Sequence, residues 1–218
     1  MYMKKMPKVN AMDDKTPAMM ALSVFALDRT LVSALNFLRT GMSSSSRAMC
    51  LNATTLLSNW LLPLLIVYKV EKAGTESLGL IVSREKYRAY AVYAVVGLAL
   101  PALYFGFSRD LLVEFVEQLI FIGLAEEFFY RGYMMNRLCA WVGETKGLLL
   151  NAIVFSLAHV IFIVTRYGLG HPYFLAQSGL QTLLGGLLLG YIFLKAGDIV
   201  PGSVLHISMN LYLPRIGS

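Results

Sequence analysis

Three ionisable side chains stand where an apolar helix would have to bury them. The stretch Gly123–Tyr133 reads GLAEEFFYRGY and sets Glu126, Glu127 and Arg131 inside a long apolar run. Charges at membrane depth are expensive and turn toward partners rather than lipid, so their presence marks a site. Residues four apart on an α-helix share a face, which puts Glu127 over Arg131 and turns Glu126 about 100° away, over Tyr130. Glu127 is neutralised in this arrangement, and Glu126 is the carboxylate left for chemistry. Downstream, Phe155 and His159 are four apart, as are His206 and Asn210. The Phe155 ring can orient the His159 imidazole, while His206 and Asn210 present two donors on one face.

Such a set suits hydrolysis. A carboxylate flanked by apolar groups is a better base than one in water, so Glu126 can activate a water molecule, with His159 sharing it and shuttling the proton. His206 and Asn210 can stabilise the oxyanion formed when that water attacks an amide carbonyl. No Ser or Cys has a base at helical spacing, which makes nucleophilic catalysis the weaker mechanism. The expectation is therefore a reaction without a cofactor. The runner-up is a catalytic zinc held by Glu126, His159 and His206 with Asn210 outside the ligands, although the HExxH arrangement of many zinc peptidases is absent. A different class, a transporter or proton relay, would show an internal repeat with interrupted helices, and none is seen. A scaffold or immunity protein without hydrolytic activity is the remaining alternative.

The elements that must position these groups are membrane helices. The chain has 218 residues, 57% hydrophobic and 15% charged, and a mean hydropathy of +0.62. This is too apolar for an ordinary soluble fold and predicts an all-α polytopic bundle of about seven (six to eight) transmembrane helices. Basic residues flanking apolar spans account for the net charge of +6, so membrane lipid and a peptide are the expected partners and nucleic acid is not. Cys50 and Cys139 match no metal or disulfide pattern and read as reduced packing residues. Residues 1–17 are expected to form a polar cytoplasmic tail without a cleavable signal peptide. Residues 18–110 are expected to hold the N-terminal membrane helices, and 111–218 the catalytic core.

Apolar segments run over 18–38, 49–67, 87–107, 111–137, 147–164, 174–194 and 199–213, with kinks expected at Pro63 and Pro101 and a charged loop over 68–88. Gly186 and Gly190 have the spacing of close helix packing. The first segment carries Asp28 and Arg29, which need partners. If it crosses, one side collects Lys4, Lys5, Lys8, Lys15, Lys69, Lys72, Arg84, Lys86, Arg88, Arg131, Arg137, Lys146 and Lys195. The other holds Arg39, Arg47, Arg109, Arg166 and Arg215. Thirteen against five favours seven crossings with the N-terminus in the cytoplasm of a cell-membrane protein.

In order along the chain, Glu126, Glu127 and Arg131 resemble the EExxxR motif, Phe155 and His159 the FxxxH motif, and His206 and Asn210 the HxxxN motif of the CPBP family. That family comprises CAAX prenyl endopeptidases of the Ras-converting type and related bacteriocin-processing or immunity proteins. The resemblance covers about residues 111–214. It implies an intramembrane glutamic endopeptidase in which Glu126 activates water with His159, while His206 and Asn210 form the oxyanion site. The substrate it implies is a prenylated CAAX terminus or another membrane-associated peptide.

Overall fold

The computed structural model describes residues 14–80 and 84–216, and every regular element among them is a helix. The expected tail with Lys4, Lys5 and Lys8 lies outside the described residues, as do the side chains of Arg39, Arg84 and Arg215. The helices are α1 (Lys15–Phe37), α2 (Ser44–Glu71), α3 (84–105), α4 (Arg109–Ile120), α5 (123–142), α6 (Glu144–Tyr167), α7 (Pro172–Ala196) and α8 (Val200–Ile216). Four of them, α1, α2, α6 and α7, are long and apolar enough to cross a membrane, and α3 carries a shorter apolar run over Arg88–Tyr104. Many large apolar side chains along these helices face outward, for example Leu61, Val96, Ile153 and Leu184. A water-soluble fold would bury them, whereas lipid solvates them. The chain is an all-α membrane bundle.

Three expectations change. Helix α1 starts at Lys15, so the end of the expected tail is already helical. The expected single segment over 111–137 is two helices. Phe121 and Ile122 break it, Ile122 leaving helical geometry at φ −122° and ψ −93°, and α5 starts afresh at Gly123. Glycine lets α8 come close there, since a Cβ would lie 2.7 Å from the Ile207 side chain. The expected charged loop over 68–88 is helical at both of its ends, over 68–71 and 84–88. Helix α2 runs on to Glu71, Lys72 turns the chain at φ 52°, and a short helical turn at Thr75–Leu78 folds back into the protein with Ser77 and Leu78 buried.

Turns with i→i+5 bonding recur at Leu56–Leu61, Ile66–Glu71, Val95–Ala99 and Glu127–Met135. Those at 56–61 and 95–99 immediately precede Pro63 and Pro101, whose missing N–H removes an α-helical bond. The Glu127–Met135 stretch contains no proline. Its carbonyls are taken up by side chains instead: Asn151 donates to Tyr130 at 2.7 Å, Asn136 to Gly132 at 2.9 Å and Arg137 to Tyr133 at 2.7 Å. Buried carbonyls need such partners when the helical ladder shifts.

The core lies around α5, which α1, α2, α6, α7 and the 75–78 turn enclose through Phe128, Phe129, Tyr133, Met134, Met135 and Leu138. Gly132 is where the turn comes closest, since a Cβ there would stand 2.3 Å from the Leu78 carbonyl oxygen. Helices α6 and α7 pack closely at the two glycines expected to allow it: a Cβ on Gly186 would meet Ala152 at 3.1 Å, and one on Gly190 would meet Leu148 at 2.5 Å.

Candidate active site

The two glutamates follow directly after the break at 121–122. Glu127 is completely buried, with Oε1 3.0 Å from Arg131 Nη1. The Arg131 guanidinium, also without exposure, lies 4.3 Å over the Phe155 ring. An aromatic face on one side and a carboxylate on the other are what a cation at this depth requires. Gly202 of α8 makes room for Glu127, because a Cβ there would stand 3.0 Å from Glu127 Oε2. Glu126 keeps 21% of its side chain exposed and faces a cavity.

That cavity has a volume of about 400 Å³ and is lined by Glu126, Tyr130, His159, Ala158 and Phe162, by Phe121 and Ile122 of the break, and by Arg29, Asn52, Thr55 and Asn59 from α1 and α2. Glu126 and His159, more than thirty residues apart in sequence, thus line the same cavity. His159 Nδ1 donates to the Phe155 carbonyl at 2.8 Å, which fixes the tautomer and leaves Nε2 as the basic nitrogen. The Phe155 ring packs on the imidazole at 4.6 Å between centroids and on Tyr130 at 5.0 Å.

His206 departs from the simple division of the glutamates. Its Nδ1 donates to Glu127 Oε1 at 2.8 Å, and its Nε2 stands 3.7 Å from Glu126 Oε2. Glu127 therefore serves Arg131 and His206 together, and Glu126 has His206 as a neighbour rather than standing alone. Because Nδ1–H is committed to Glu127, Nε2 can donate to an oxyanion only from the doubly protonated ring.

Neither His206 nor Asn210 lines the cavity. Asn210 is an exposed residue one turn beyond His206, and its Nδ2 donates to Gln118 Oε1 of α4 at 2.9 Å. The expected convergence of four groups is thus two and two: Glu126 with His159 on the cavity wall, and His206 with Asn210 along α8, joined through the glutamates. As for the zinc alternative, no group of three or more His, Cys, Asp or Glu side chains among the described residues is placed to hold a metal ion.

Several residues of the site had no local signal in the sequence. Gln118 holds Asn210 only because the break turns α4 against α8. Asp28 and Arg29 find their partners across the fold: Ser58 Oγ donates to Asp28, and Arg29 donates to the Ala158 carbonyl at 3.3 Å as well as to Asp28. Arg137, counted above with the loop charges, is fully buried, with Nε donating to Glu71 Oε1 at 2.8 Å and the guanidinium 4.2 Å over the Tyr133 ring.

Residues 108–212 match the family model of the type II CAAX prenyl endopeptidases, Rce1-like. No curated protein and no solved structure matches the chain. The matched segment takes in Glu126, Glu127, His159, His206 and Asn210, and leaves out α1 and α2, which also line the cavity.

Proposed function

Because residues 108–212 match the Rce1-like type II CAAX prenyl endopeptidase model, we propose that the chain is a membrane-embedded peptidase of this kind and that it hydrolyses its substrate as follows. Water held between Glu126 and His159 attacks the peptide carbonyl and Glu126 takes its proton; as the tetrahedral intermediate collapses, the C–N bond breaks and the proton passes, with His159 Nε2 sharing in the relay, to the departing amine. The imidazolium of His206 stabilises the oxyanion, together with the Asn210 N–H that Gln118 does not occupy. Glu127 acts at one remove, accepting from His206 Nδ1 and neutralising Arg131. The reaction proceeds without a metal. Tyr130 and Phe155 pack the site without taking part in proton transfer.

The observation that carries this reading is the shared cavity of Glu126 and His159 beside a sequestered Glu127. The substrate is a prenylated CAAX-type peptide or another membrane-associated peptide, reached from the cytoplasmic side of the cell membrane. The test is to incubate the purified protein with a farnesylated CAAX peptide and a panel of leader peptides and to locate the cut by mass spectrometry. Cleavage that is lost in Glu126→Gln supports the proposal. No cleavage of any peptide, or undiminished cleavage by that variant, overturns it.

A further inference from the structure

We propose that Arg29, on α1 and outside the family match, forms an anion subsite that takes the free carboxylate at the end of the peptide being cut. The inference rests on the hydrolytic reading above and adds a recognition element to it. Among the described residues Arg29 is the only Lys or Arg that lines the cavity of Glu126 and His159.

Its guanidinium is held from behind. Nε donates to Asp28 Oδ2 at 2.7 Å, Nη2 donates to the same oxygen, and Nη1 donates to the Ala158 carbonyl at 3.3 Å. Asp28 is 2% exposed and also accepts from the buried Ser58 hydroxyl. A guanidinium carries five N–H groups. These three bonds leave one N–H on each terminal nitrogen without an acceptor among the described residues, the pairing that a carboxylate takes bidentately. Neutralising Asp28 would not require a guanidinium on the cavity wall with two donors unspent.

The position of the subsite sets the polarity of binding. Ala158 precedes His159, so the bond to its carbonyl fixes the guanidinium close to the water-activating pair. Glu126 repels a carboxylate, which leaves the terminus at Arg29 and the scissile carbonyl at Glu126. An extended chain advances about 3.3–3.6 Å per residue, so only a few residues can separate the cut from the terminus inside this cavity.

The test compares a farnesylated CAAX-ending peptide bearing a free carboxylate with the same peptide ending in a carboxamide. For the wild type, kcat/KM should fall about ten- to a hundredfold for the carboxamide, mainly through KM, as expected for a lost charge-assisted hydrogen bond. The double variant Asp28→Asn/Arg29→Gln removes both charges without stranding Asp28, and it should lose the preference. Equal handling of the two peptides by the wild type, or a preference retained in the double variant, overturns the subsite. The wild-type comparison decides even if the double variant fails to fold. A wild type that cleaves neither peptide removes the hydrolytic reading and the subsite with it, whereas equal cleavage of both removes the subsite alone.

Discussion

At the scale of single residues, the adjacent glutamates have opposite surroundings and should fail in different ways. Glu126→Gln keeps the shape of the cavity and removes the base, so hydrolysis should be abolished with thermal stability nearly unchanged. Glu127→Gln leaves Arg131 buried without its counter-charge, which costs roughly 3 to 5 kcal/mol when one partner of a buried pair is removed. It also removes the carboxylate that accepts from His206 Nδ1, so kcat should fall as well. Unfolding midpoints and kcat for the two variants check this, and a larger stability loss for Glu126→Gln would refute the division of roles. Asn210→Ala should lower kcat by roughly 10² to 10³ with little change in KM, the usual cost of one oxyanion donor. For the metal question, the purified wild type should stay active in chelator and contain no stoichiometric zinc; zinc whose removal stops the reaction would make Glu126, His159 and His206 its ligands.

At the scale of elements, the site depends on α5 being broken at one end and widened in its middle. The break at Phe121–Ile122 separates α4 from α5 and sets Gln118 beside Asn210. The i→i+5 stretch is held by Asn136, Arg137 and Asn151, and the 75–78 turn lies directly on Gly132. A methyl group there would press on the backbone oxygen of Leu78, which cannot swing aside as a side chain can. Gly132→Ala should therefore cost about 1–3 kcal/mol, the range for overpacking a filled core. Chemical or thermal unfolding of Gly132→Ala beside Gly185→Ala, where a Cβ would meet nothing within 4 Å, isolates the contact. Equal stability of the two variants would show that the turn yields.

At the scale of the molecule, burial revises the charge count that orients the chain. Arg131 and Arg137 are both fully buried and paired, so they contribute nothing to a loop bias. Removing these two from the thirteen leaves eleven against five. The bias keeps its direction, and we propose that the N-terminus and the mouth of the cavity face the cytoplasm. Single cysteines introduced near Arg39 and Arg166 in a background lacking Cys50 and Cys139 should label from the extracytoplasmic side. Labelling of both from the cytoplasm alone would overturn this topology.

The sequence by itself determined the membrane class and the helical pairings four residues apart, because hydropathy and helical spacing are local properties that persist in any packing. Glu127 over Arg131 and Phe155 against His159 follow from a four-residue offset, and the close contact at Gly186 and Gly190 follows from missing side chains. Only the tertiary structure decided what depends on several helices meeting. His206 bridges the two glutamates because Gly202 lets α8 approach Glu127, and Asp28 is satisfied by a serine thirty residues away. Arg29 reaches the cavity because α1 packs on α6, and Glu71 and Arg137 change from apparent loop charges into a buried pair. No periodicity carries such information, since each contact joins residues far apart in the chain, and its energy exists only once both partners have left water or lipid.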